Sequence, residues 1–331
     1  MITLKRDAEA IIAHIEKIKG QPWLTVAQRW WPGHLFHFTN ITNAAQVLKD
    51  GVLLCRSELE KGERIITDIA SPQIISSTKR CWKNYVRLYF RPRTPMQYDI
   101  EGFRPLNKRQ LRAHCPVPVV FVFSAEPILT SETTLFSNGN LRKNEVKVGD
   151  SGDFFTSLPF EKIYHDTAFG PGSKETIIFH RHAEVIIPQS LDLSSLKLIY
   201  CRSQAEFETL FHLIPQKARN KWTKIIGAGV KGSLFFNRWP YVTKADLSTE
   251  QVTLTFNVSS EPPGPFHAEI EVKEIKTNAR YGWNSHDFYA RVPLKIHLSG
   301  MKHPECYVVS FFLDSELAYQ STYDSSSEAP F

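Results

Sequence analysis

A chain of 331 residues with 42% hydrophobic and 22% charged residues has the balance of a globular protein and the length of one large domain or two ordinary ones. No segment holds the roughly 18 consecutive apolar residues of a membrane span, and the charged first twenty lack the apolar core of a secretory signal, so a soluble, cytoplasmic protein is expected. Five scattered cysteines with no C-x-x-C pair suggest neither a disulfide framework nor a zinc site, and the net charge of +6 matters less than where it falls.

Residues 1–24 read as an N-terminal helix with Leu4, Ala8, Ile11, Ile12, Ile15 and Ile18 on one face and Gly20 as its stop. "QPWLTVAQRWWPGH" is a turn-rich connection. In "LFHFTNITNAAQVLKDGVLLC" a short strand leads to a helix capped by Thr42 and running over Ala44 to Lys49, with Gly51 ending it before a second strand. Residues 85–100, 117–124 and 176–188 read as strands, and 131–174 as long loops.

Near residue 220 the texture changes. "EQVTLTFNVSS", "FHAEIEVKEI", "FYARVPLKIHL" and "CYVVSFFL" alternate apolar and polar residues between turns, which is the pattern of a small antiparallel sandwich, with Pro293 pushing its strand toward an edge. The expected fold class is α+β, with a mixed domain over 25–220, a β-rich domain over 221–320 and a disordered tail over 321–331.

Three features bear on function. From Lys79 to Arg112 basic residues interleave with Trp82, Tyr85, Tyr89, Phe90, Tyr98 and Phe103, either as a groove for single-stranded nucleic acid or as a solvated face over ordinary core aromatics. "GAGVKG" at 227–232 has dinucleotide-loop spacing, but aromatics and a proline follow where a helix is required, so a turn between domains is expected. In "ETIIFHRHAEVIIP" a lone carboxylate, Glu184, lies inside an apolar run, either presented to a cleft beside His180, Arg181 and His182 or facing solvent on a strand's polar side. His37, taken alone, fits a hydrogen-bonded structural role as well as a chemical one.

Four segments in order, "LFHFTNITNAAQVLKDGVLLC", "NYVRLYFRPRTPMQY", "TLFSNG" and "HRHAEVIIP", resemble the DarT family of NAD-dependent ADP-ribosyltransferases acting on single-stranded DNA, over about residues 34–210. The resemblance implies an ADP-ribosyltransferase fold, NAD as substrate and no metal. It implies that His37, Thr39 and Asn43 bind NAD, that Glu184 and a preceding arginine, Arg80 or its neighbour Lys79, are catalytic, and that Tyr89, Arg93, Met96, Asn138 and His182 serve the nucleotide and acceptor. Ser137 and Asn138 replace a usual threonine and aspartate, and His182 a common glutamine, so RNA stands beside DNA as acceptor. A toxin of a toxin–antitoxin or phage-defence module, restrained by a cognate antitoxin, is the implied setting. A nucleic-acid-binding protein without catalysis and transfer to protein side chains are the rival readings.

Overall fold

The computed structural model describes residues 3–62, 67–69, 73, 80–109, 113–229 and 233–326. The first helix, α1 (Ala8–Lys19), buries Ala8, Ile11, Ile15 and Ile18, while Leu4 precedes it and is exposed. Strand β1 (His34–Asn40) follows with Leu35, Phe36 and Phe38 inward. The cap of helix α2 (Ile41–Asp50) lies two residues before the expected one: the Asn40 side chain accepts from the Thr42 N–H at 3.0 Å, so asparagine is the cap and Thr42 lies in the first turn. Gly51 ends α2 at φ 72°, a left-handed conformation that glycine adopts without steric cost.

After β2 (Val52–Leu54), strand β3 covers only Tyr85–Tyr89. It cannot run to residue 100, because Thr94 caps a helix with Pro95 at its first position, Pro95–Ile100. β4 (Pro118–Ser124) is buried on both sides, as expected of a continuous apolar run. The 131–174 span carries β5 (Leu135–Ser137), β6 (Val148–Gly149) and two short helices, Gly152–Thr156 and Phe160–Ile163, whose Phe155 and Phe160 pack edge-on or tilted against His14 of α1. Long loops were expected there, but the segment's aromatics join the main core, Phe155 and Phe160 meeting Phe90 with centroids at 6.2 and 5.6 Å.

The run 176–188 divides in two. A helix, Lys174–Arg181, ends at His182, and β7 (Glu184–Pro188) begins two residues later. Ile177, Ile178 and Phe179 are therefore helical, and Glu184 opens a strand rather than interrupting one. β8 (Ser190–Asp192) pairs with β2, and β9 (Leu196–Cys201) pairs with β4. β10 (Ile226–Ala228) lies parallel to β9, so the first part of "GAGVKG" extends this sheet past residue 220, while 230–232 fall outside the described residues. The order of the eight strands is β10-β9-β4-β1-β3-β7-β5-β6, which places β1, β3 and β7 side by side.

Beyond it, β11 (Val242–Leu247), β12 (Gln251–Phe256), β13 (Phe266–Glu274), β14 (Arg280–Phe288), β15 (Leu294–His297), β16 (Cys306–Leu313) and β17 (Glu316–Asp324) form two antiparallel sheets, β11-β12-β15 and β14-β13-β16-β17. Phe256 of the first meets Phe288 and Phe311 of the second, with centroids at 5.6 and 6.0 Å, so the sheets share a core as a sandwich does. β15, after Pro293, is an edge strand as expected. Phe288, however, ends β14, so "FYARVPLKIHL" is not one strand. The tail expected from residue 321 is strand through Asp324, held by pairing with β16.

The two parts are locked together. On the helix Gln204–Leu213, Thr209 Oγ1 accepts from the Gln320 N–H at 3.1 Å and Glu208 accepts from the Tyr319 hydroxyl at 2.9 Å. Ser203 donates to the Val242 carbonyl at 2.6 Å.

Candidate active site

Strand β3 reads Y-V-R-L-Y: Val86 and Leu88 are buried, and Tyr85, Arg87 and Tyr89, on one face by alternation, line a cavity of about 520 Å3 that Val86 also borders. β1 contributes His37, Phe38 and Thr39, α2 contributes Asn43, and β7 contributes Glu184. Met96 and His182 complete the expected set, so seven of the ten residues singled out from the sequence line one cavity: His37, Thr39, Asn43, Tyr89, Met96, His182 and Glu184. A volume of this order is ordinary for a pocket holding a nucleotide-sized ligand.

Glu184 is 3% exposed. The register sets it directly opposite Tyr89, and Arg87, two residues back on the same face, brings its Nε to 3.6 Å from Glu184 Oε2. That distance is too long for a hydrogen bond, and among the described residues Oε2 has no hydrogen-bond partner. Burial therefore pushes the carboxyl up to about 7, opposed by the nearby guanidinium. Tyr89 is raised as well, first by burial and then by Glu184, and stays a neutral phenol.

The backbone of Glu184 is held differently. Its N–H donates to Ser137 Oγ at 2.9 Å, and the Ser137 hydroxyl donates to the Gly139 carbonyl at the same distance. Threonine would supply the same hydroxyl, so Ser137 keeps the contact. Gly139 must be glycine because an added Cβ would overlap the Phe179 ring.

His37 Nδ1 donates to the Arg87 carbonyl at 3.2 Å, and burial holds the ring down at about 4. A carbonyl only accepts, so the neutral ring carries its proton on Nδ1 and Nε2 is an acceptor. Thr39 is buried and its hydroxyl oxygen accepts from Asn43 Nδ2 at 3.2 Å. Asn43 also clamps Thr67, donating to its carbonyl at 2.8 Å and accepting its N–H at 2.9 Å, so its amide braces the wall. His182 Nδ1 donates to the Ile178 carbonyl at 2.9 Å, and burial, then Arg142, lowers its basicity.

Of the other three expected residues, two stand elsewhere and one is not described. Lys79 lies outside the described residues, as does the side chain of Arg80, whose backbone opens the 3-10 turn Arg80–Asn84. Arg93, at φ 53°, does not line the cavity; it pairs with Asp166, which also holds Arg91 at 2.6 Å. Asn138 accepts from the Lys147 N–H at 2.9 Å and offers its carbonyl to His180, shaping the turn after β5 rather than the cavity. Arg87, Trp82, Asn140 and Arg142 also line the cavity and were not singled out as site residues. For Arg87 the signal was available: it is two residues from Tyr89 on a strand, hence on the same face.

Among the described residues, no group of three or more His, Cys, Asp or Glu side chains could hold a metal, and no helix is long and apolar enough to cross a membrane.

The family model described as "DarT: ssDNA thymidine ADP-ribosyltransferase, DarT" matches residues 36–228. No curated protein matches the chain. Among solved structures, DarT of Thermus sp. 2.9 in complex with ADP-ribosylated ssDNA is 17% identical, with 62% of this chain and 97% of that chain covered and a TM-score of 0.48. The same protein in complex with NAD+ gives 17%, 62%, 98% and 0.46. Thermosipho africanus DarTG in complex with ADP-ribose gives 15% identity, 65% and 53% coverage and a TM-score of 0.47.

Proposed function

The chain belongs to the DarT family of NAD-dependent ADP-ribosyltransferases, and from that premise we propose that its cavity binds NAD and transfers ADP-ribose to a base of single-stranded DNA. The observation that carries the residue assignment is the setting of Glu184: a buried carboxylate on the wall of a nucleotide-sized cavity, with an unbonded oxygen and a cation 3.6 Å away.

The chemistry needs such a group. As the bond from ribose to nicotinamide breaks, the bonding electrons leave with the nicotinamide ring and C1 of the ribose takes on oxocarbenium character. The Glu184 carboxylate stabilises that charge. The acceptor nitrogen of the base then attacks C1 from the opposite face, and its proton passes to the same carboxylate. His37 Nε2, an acceptor, suits a ribose hydroxyl or an amide N–H of NAD, with Thr39 beside it, while Tyr89 and Met96 shape the nucleotide pocket. Arg80, from its place before β3, is assigned the diphosphate or the acceptor phosphate. His182 and the neighbouring Arg142 lie on the acceptor side. Arg93 and Asn138 act by supporting the walls.

We read the two parts of the chain as an ADP-ribosyltransferase domain reaching Ala228 and a sandwich domain over 242–324. ADP-ribose on a base obstructs pairing, so the setting we propose is a cytoplasmic toxin of a toxin–antitoxin or phage-defence module, with a cognate antitoxin recruited through the sandwich.

The test is incubation with labelled NAD and, separately, single-stranded DNA, RNA and a protein extract, beside Glu184→Gln. Label on DNA that depends on Glu184 is expected. Label on RNA or protein would keep the chemistry and replace the acceptor. Equal transfer by the folded mutant would remove Glu184 from its role.

A further inference from the structure

The family motif in β3 leaves the position of Arg87 open, and nothing in the proposed chemistry uses that residue yet. We propose that Arg87 is a positioning residue whose guanidinium directs the Glu184 side chain into the cavity and favours its anionic form; this rests on the reading of Glu184 given above.

Geometry carries the inference. β3 and β7 are adjacent antiparallel strands in fixed register, so Arg87 and Glu184 meet diagonally across one face, with Nε and Oε2 at 3.6 Å. Among the described residues, the groups packed around the carboxylate are few. β3 supplies Arg87 and the neutral phenol of Tyr89, β5 supplies Ser137, which binds only the backbone of Glu184, and β1 supplies His37, which is neutral and bonded to the Arg87 carbonyl. His182, two residues before Glu184, is turned onto the Ile178 carbonyl. A carboxylate so enclosed, with no donor on Oε2 among the described residues, would hold its proton more tightly still without a positive charge beside it. Arg87 is that charge, and it is itself raised chiefly by Glu184. Its side chain is 36% exposed, so it reaches the pair from the cavity side without being sealed in. Through its carbonyl and its guanidinium, one residue thus sets the tautomer of His37 and the charge of Glu184.

The experiment compares wild type, Arg87→Met and Arg87→Lys. The acidic limb of kcat at saturating NAD should move up by about 1 pH unit or more in Arg87→Met and return toward wild type in Arg87→Lys, with KM for NAD changed by less than about threefold. Independently of activity, the carboxyl signal of Glu184 in protein labelled with 13C-glutamate, assigned by its loss in Glu184→Gln, should titrate at higher pH in Arg87→Met. An unmoved limb and an unmoved carboxyl midpoint would overturn the proposal. So would a rise in KM with the pH profile intact, which would make Arg87 a substrate ligand. A wild type that turns over no NAD would sink the functional reading, and the carboxyl titration would still decide the role of Arg87.

Discussion

At the seam between the central sheet and the C-terminal sandwich, Arg202 and Glu206 form a buried pair in which both carboxylate oxygens are satisfied: Arg202 Nε donates to them at 2.9 and 3.1 Å and the Arg202 N–H donates at 3.0 Å. Arg202 also donates to the Pro116 carbonyl at 2.6 Å and lies over the Tyr241 ring at 4.4 Å. At the cavity, Arg87 and Glu184 are the same two residue types, yet their closest approach is 3.6 Å and, among the described residues, Oε2 lacks a donor. A carboxylate buried to hold a fold is surrounded by donors. One buried to react, the role proposed for Glu184, should be left short of them, because every bond made in advance would have to be broken or weakened when charge develops on the substrate.

The largest difference should appear in activity. Glu184→Gln is expected to fold and to lose transfer by roughly a thousandfold or more, the scale on which a charge-stabilising group that also takes a proton acts. Label transferred to single-stranded DNA per folded molecule, with circular dichroism as the control, reads it. Glu206→Gln should do the reverse, destabilising the protein by about 3–5 kcal/mol because Arg202 is left buried without its counter-charge. Denaturant unfolding measures that loss, and transfer per folded molecule should stay near wild type. If both variants fell in stability alone, the contrast between the two pairs would be void.

The pH dependence of stability sharpens the contrast. Glu184 sits at about 7 in the folded chain against an ordinary value of 4.5, so folding favours its neutral form. Its contribution is fully present below about 4.5 and is lost as pH rises through 7, because the unfolded chain releases that proton first. Relative to wild type, Glu184→Gln should therefore gain stability between pH 5 and pH 8, up to roughly 3 kcal/mol for a shift of this size. Urea midpoints of both proteins at the two pH values test it, and a difference that does not change with pH would mean that Glu184 is not held as described.

How much of this was legible in the sequence follows from the range of the interactions. β1, α2, Gly51 and β4 are decided by local signals, a left-handed glycine and apolar runs among them, and they could be read directly, although the cap of α2 was placed at Thr42 instead of Asn40. The segment 174–188 misleads because Ile177, Ile178 and Phe179 adjoin Val185, Ile186 and Ile187, and an apolar run has no period that separates a helix end from a strand start. What divides them is the turn at His182, which rests on non-local contacts, among them Phe179 against Gly139. Seven of the residues lining the cavity were singled out through ordered motifs, whereas Arg87 was read only as one basic residue in a basic stretch. Its pairing with Glu184 exists only once β3 and β7 are in register. Arg93 misled for the same reason, since its partner Asp166 lies 73 residues away.

The smallest of these effects separates the backbone of Glu184 from its side chain. Ser137 is fully buried, and its one hydroxyl accepts from the Glu184 N–H while donating to the Gly139 carbonyl. Ser137→Ala leaves both groups buried without that partner, which should cost about 1–3 kcal/mol and let the start of β7 shift against β5. Ser137→Thr keeps the hydroxyl and adds one methyl, so its loss should be smaller. Because the side-chain setting of Glu184 depends on Arg87 and not on Ser137, the alanine variant should lower kcat without moving the acidic limb of its pH profile, whereas Arg87→Met should move the limb. A Ser137→Ala profile displaced as far as that of Arg87→Met would show that the charge of Glu184 is governed by where its strand begins rather than by the arginine beside it.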